Sequence, residues 1–130
     1  MKSFMTILSI FTLMFNSNFV KAETSGLFIG NSFTCGSAAK YYRADSVSDL
    51  NNEGIGGVPA LFKSFTQQAG LNYDVYLETK SGSALDFHLE NKSAEISIQA
   101  SDQLVTHGFS TLDSNKLGDP TLLVETAVKM

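Results

Sequence analysis

The segment LFIGNSFT, residues 27–34, decides the fold of this 130-residue chain. Its apolar start, Leu27 to Ile29, is typical of a buried strand. The apolar run then breaks at residues 30–32, Gly-Asn-Ser, which favour a turn. We therefore expect a strand that ends in a sharp turn and leaves the Ser32 hydroxyl at the carboxyl edge of the sheet. Binding sites of α/β folds form at that edge.

Downstream of this turn, helical and strand patterns alternate along the chain. The order strand, helix, strand, helix, strand, helix predicts a three-layer α/β/α fold with a parallel sheet. After the first strand we expect a helix from Pro59 to Gly70, a strand at Tyr73–Leu77, a helix at Ala84–Asn91, a strand at Leu104–Phe109 and a helix from Pro120. The first of these helices has an apolar stripe of Val58, Leu61, Phe62, Phe65 and Ala69. The second is expected to begin with a capping box formed by Ser83 and Asp86. Three strands are few for such a sheet. We therefore expect the chain to be the front part of a larger domain, cut after the third strand and its helix.

The first 22 residues have the pattern of a secretory signal peptide. Lys2 supplies a positive start, residues 4–15 are almost wholly apolar, and Val20 and Ala22 suit positions −3 and −1 of a cleavage site. The alternative is an uncleaved membrane anchor. We expect cleavage, secretion or export to the periplasm, no stable membrane span afterwards, and one domain over residues 23–130.

Composition excludes several classes of partner and site. A net charge of −4 without a Lys/Arg cluster argues against nucleic acid and anionic membranes. The single cysteine, Cys35, cannot form an internal disulfide, and it is either a reactive thiol or a small buried residue. Two histidines far apart do not suggest a metal site, and no cofactor is expected.

Three segments together resemble the SGNH (GDSL-like) serine hydrolases. LFIGNSFT is similar to the family's first block, whose serine is the nucleophile and whose serine N–H contributes to the oxyanion hole; Ser32 matches it. The segment KSGS, residues 80–83, matches the second block through Gly82, a further oxyanion-hole donor. THGFSTLD, residues 106–113, takes the place of the third block but lacks its asparagine, so His107 is the candidate donor there. Structural alternatives for these three residues are a helix N-cap, a turn glycine and a strand-end histidine.

The family's general base is missing from this sequence. The chain contains no Asp-x-x-His, and His88 follows Asp86 by only two residues, which suggests a partly exposed helix position. The resemblance implies a secreted serine hydrolase that cleaves a small-molecule, glycan or lipid ester, as esterases, lipases and acetylesterases do. We expect the chain as given to be inactive. The alternatives are a secreted binding module without catalysis and an inactive truncated product of the same fold.

Overall fold

The computed structural model of this protein describes residues 23–107 and 128–129. The signal peptide expected over residues 1–22, the end of the strand expected at Leu104–Phe109 and the helix expected from Pro120 lie outside the described residues. Within the described part, no helix combines the length and the apolar character that crossing a membrane requires. The elements are β1 (Thr24–Gly30), α1 (Ser32–Cys35), β2 (Ser48–Asp49), α2 (Gly57–Gln68), β3 (Tyr73–Thr79), α3 (Leu85–Asn91), α4 (Ser93–Ile98) and β4 (Gln103–Thr106), with a 3₁₀ turn at Ala44–Ser46 before β2.

The described strands form one parallel sheet in the order β2-β3-β1-β4. Strand β1 is flanked by β3 on one side and by β4 on the other. Its register pairs Thr24 with Tyr73 and Gly30 with Thr79, so the carboxyl ends of β1 and β3 are level. This sheet confirms the predicted three-layer α/β fold.

Apolar side chains cover both faces of the sheet, as a three-layer fold requires. One cluster consists of Phe28, Cys35, Ile55, Val75 and Leu77, against which Phe62 of α2 packs. The other consists of Leu27, Ile29, Leu85 and Ile96, from β1, α3 and α4. Successive residues of β1 contribute to opposite clusters because side chains alternate along a strand. The continuous apolar run of the sequence therefore reflects burial on both faces.

Two strand predictions need correction. The described sheet has four strands where three were expected, because β2 is a polar two-residue strand whose Ser48 and Asp49 pair with Tyr76 and Leu77. Strand β3 continues two residues past the predicted end, to Thr79. Periodicity could not reveal β2, since two residues carry no period and the strand is held by its neighbour's backbone.

Helix α2 begins two residues before Pro59, and its buried face differs from the predicted stripe. Pro59, Ala60 and Ser64 are buried, whereas Val58 and Phe65 are 41% and 64% exposed. Phe62 does reach the core, with its ring centroid 5.2 Å from that of Phe28. Small residues on the buried face let the helix lie close to the sheet. Val58 and Phe65 lie largely outside that contact.

Candidate active site at the carboxyl edge of the sheet

Three chain segments meet at the carboxyl end of β1. The Lys80 N–H donates to the Gly30 carbonyl at 2.9 Å, and the His107 N–H donates to the Ile29 carbonyl at 2.9 Å. The segments that carry Ser32, Gly82 and His107 therefore leave neighbouring strands at the same edge. After α1 and α2 the chain forms β3 on one side of β1, and after α3 and α4 it forms β4 on the other side. Ligand sites of open α/β sheets form at such a reversal.

Ser32 is the exposed first residue of the short helix α1. The alternative role as N-cap is wrong, because Asn31 is the N-cap and its Oδ1 accepts from the Phe33 N–H at 3.1 Å. Asn31 is fully buried, and its Nδ2 donates to the Ser83 carbonyl at 3.2 Å. The hydrogen bonds among the described residues leave both the hydroxyl and the backbone N–H of Ser32 without a partner.

Gly30 lets α1 fold back closely on β1. A Cβ at this position would collide with the side chain of buried Thr34 and would lie 3.4 Å from Cβ of His107. Only the absence of a side chain allows these contacts. The position of Ser32 relative to the sheet is thus set by a glycine two residues before it.

Gly82 lies in an exposed turn with φ +75°, a conformation that other residues rarely adopt. A Cβ added there would meet no described atom within 4 Å, so the space in front of Gly82 is open. Its N–H has no acceptor among the described residues. The positive φ establishes a turn role for Gly82, and the unpartnered N–H is compatible with a donor role as well.

His107 lies at the end of β4 and is exposed. Its ring packs against the ring of Phe33, with centroids 5.4 Å apart at 45°. Phe33 is itself 66% exposed, although it is a large apolar residue. The two rings form a partly apolar surface directly beside Ser32.

The prediction for His88 is wrong: this histidine is fully buried. Its Nε2 lies 2.9 Å from Oγ of buried Ser83, and its Nδ1 contacts Oε2 of fully buried Glu78. The other oxygen of Glu78 accepts from Nδ2 of Asn51 at 3.0 Å. The prediction of a capping box is also wrong, because the N-cap of α3 is Ala84, whose side chain has no oxygen to accept from the helix N–H groups. The hydroxyl of Ser83 instead donates to the Lys80 carbonyl at 2.7 Å.

The group of Ser83, His88 and Glu78 has the atom pairing of a serine, histidine and carboxylate triad. Its serine is only 7% exposed, however, and the hydroxyl is engaged inside the turn. One sequence signal could have revealed the buried histidine. His88 follows buried Leu85 by three positions, so both lie on the same face of a helix.

Cys35 is 5% exposed and packs in the first apolar cluster. Its Sγ lies within hydrogen-bonding distance, 3.1 Å, of Thr79 Oγ1. The structure therefore supports the interpretation as a small buried residue and not as a reactive thiol.

Comparison of the chain with known protein families, curated proteins and solved structures gives no match. The resemblance to SGNH hydrolases thus rests on the three short segments and their arrangement.

Proposed function

We propose that this protein is a secreted serine hydrolase that acts on ester bonds, with Ser32 as the nucleophile. The observation that carries the proposal is the exposed Ser32 hydroxyl at the carboxyl end of β1. The two following strands of the chain that pair with β1, β3 and β4, lie on opposite sides of it. A serine at this edge of the sheet can attack the carbonyl of a substrate that binds there.

The surroundings of Ser32 suit the negative charge that develops on the carbonyl oxygen. Oγ attacks the carbonyl carbon and gives its proton to water, because no hydrogen bond among the described residues joins it to a base. The tetrahedral intermediate then collapses: the bond to the alcohol oxygen breaks, the alcohol leaves with a proton from water, and an acyl group remains on the serine. A second water molecule hydrolyses the acyl-serine and releases the acid. The N–H groups of Ser32 and Gly82 are available as donors for the oxyanion, and His107 is a candidate third donor. The Phe33 ring offers an apolar surface for an acyl or alkyl group of the ester.

A second candidate function is a secreted binding module for a glycan or acyl ester. One observation favours it: His88 is enclosed with Ser83 and Glu78, so this histidine does not serve Ser32 as a base. A hydroxyl without a base is a weak nucleophile and can still bind a ligand.

A fluorophosphonate probe separates the two functions. We expect it to label the wild-type protein and the Ser37→Ala control, in which an exposed serine five residues further on is removed, and not to label Ser32→Ala. Equal labelling of Ser32→Ala would exclude Ser32 as the nucleophile. An unlabelled wild type that binds an acetylated glycan, with weaker binding by Ser32→Ala, would establish the binding module instead.

A further inference from the structure

A buried polar network lies directly beneath the turn that presents Gly82. The turn is closed at Lys80, whose carbonyl accepts from both the N–H and the hydroxyl of Ser83, at 3.2 Å and 2.7 Å. Behind the hydroxyl lie His88 and then Glu78, and neither side chain is exposed. Three successive polar contacts therefore connect the exposed turn to the middle layer of the fold.

The network is anchored in the elements on both sides of the turn. Asn51, in the loop after β2, donates from Nδ2 to Oε1 of Glu78 and to the carbonyl of Thr79, both at 3.0 Å. Asn31, next to Ser32, donates to the Ser83 carbonyl. The turn around Gly82 and the turn around Ser32 are consequently held at a fixed separation by buried hydrogen bonds.

Such a network is costly to bury unless each polar group finds a partner. Every buried side-chain nitrogen and oxygen among the described residues does have one. His88 follows buried Leu85 by three positions, and an apolar side chain at position 88 would need no hydrogen-bond partner. A histidine and a carboxylate instead impose one orientation on the Ser83 hydroxyl, and through it on the turn.

We infer that Glu78, His88 and Ser83 are positioning residues that orient the Gly82 N–H toward the oxygen of the substrate carbonyl that Ser32 attacks. This inference rests on the proposed ester hydrolysis and adds to it a support for the oxyanion-hole donor. The three residues touch no substrate. Ser83 is not a second nucleophile, because its hydroxyl is buried and donates within its own turn.

The test compares the rate of fluorophosphonate labelling at Ser32 in wild type and variants, a reaction that needs no complete catalytic cycle. Removing an oriented oxyanion-hole donor lowers turnover by roughly 10²–10³-fold, and we expect a loss of tenfold or more when its support is removed. The loss should fall on the maximal rate of labelling, and the probe concentration that gives half of this rate should change little. Ser83→Ala and His88→Leu should both show it, and Ser83→Thr, which keeps the hydroxyl, should recover most of the rate lost in Ser83→Ala.

Two further variants separate an effect on the network from a general loss of stability. Val75→Ala leaves a cavity in the apolar cluster that contains Phe28, on the face of the sheet opposite to Glu78, so it lowers stability without touching the network. Its labelling rate should equal that of wild type. Glu78→Gln preserves the size of the side chain and tests the network if His88→Leu does not fold.

The outcomes are distinguishable by the labelled residue, which peptide mass spectrometry identifies. A wild type without label at Ser32 would refute the proposed function, and the positioning role with it. Label at Ser32 with wild-type rates in Ser83→Ala and Glu78→Gln would refute the positioning role alone. Label on Ser83 would refute both, and would make the buried group itself the nucleophilic site.

Discussion

The pair of Glu78 and His88 should couple strongly in the free energy of unfolding. Both side chains are fully buried and contact one another, so removal of either leaves the other without its main partner. His88→Leu leaves the buried side chain of Glu78 with only its hydrogen bond from Asn51. We expect this variant to lose about 3–5 kcal/mol of the free energy of unfolding. Glu78→Leu leaves the imidazole Nδ1 unpartnered and should cost about 1–3 kcal/mol.

The double variant separates coupling from loss of packing. With both groups replaced by leucine no ionisable group remains buried at this point, and Asn51 keeps its bond to the Thr79 carbonyl. We expect the double variant to cost no more than about 2 kcal/mol, so the coupling energy should be at least about 2 kcal/mol. A domain of this kind has a total stability of only about 5–15 kcal/mol, so the single changes should be readily visible.

Urea denaturation is the appropriate assay. The chain has no tryptophan, so far-ultraviolet circular dichroism and tyrosine fluorescence supply two independent signals. The four proteins of the cycle are compared at one pH and one salt concentration. Costs that add to within about 0.5 kcal/mol would show that the two residues are energetically independent, and would refute the reasoning.

Two other predictions rest on the structure and one on the sequence. Gly82→Ala should lower stability by about 1–2 kcal/mol because of its positive φ, and should slow fluorophosphonate labelling at Ser32 by roughly 100-fold if the N–H serves the oxyanion. A lower melting temperature with an unchanged labelling rate would leave only the turn role. Asp102 should contribute to stability above about pH 4 and lose that contribution as the pH falls further, because hydrogen bonds from the Ser25 N–H and hydroxyl lower the pKa of its carboxyl in the folded protein. Urea midpoints measured between pH 6 and pH 2 should therefore fall less steeply in Asp102→Asn than in wild type, and parallel curves would contradict this. Finally, N-terminal sequencing of protein from the periplasm or medium should begin near Glu23, and an intact Met1 in the membrane fraction would exclude cleavage.

The sequence predicted the parts of this fold that depend on periodicity and turn chemistry. The apolar run ending at Gly30 gave the central strand, and Pro59 and Gly70 bracketed α2 to within two residues at either end. Parallel pairing followed from the alternation of strands and helices. These features are local, so a single sequence is sufficient to indicate them.

The features that the sequence did not reveal depend on contacts between distant segments. Strand β2 exists because Asp49 lies beside Leu77 and because its carboxylate accepts the N–H groups of Asn51, Glu53 and Ile55. His88 is buried because Glu78, ten residues earlier, offers it a carboxylate. Neither partnership has a spacing that distinguishes it from chance. The exposed Ser32 was predicted by position, but its N-cap neighbour and its buried supports required the structure.

The central place of β1 in the sheet has a kinetic consequence. Both neighbours of this strand come from later in the chain, and the bond between Ser25 and Asp102 joins residues 77 positions apart. Parallel strands cannot pair through a tight hairpin, so each pairing must close a long loop at an entropic cost before its contacts form. Chains dominated by such distant pairings fold slowly. Ser32 is synthesised early, yet its surroundings are completed only when β4 has joined the sheet. The chemical reactivity of Ser32 would therefore report whether β4 has joined the sheet.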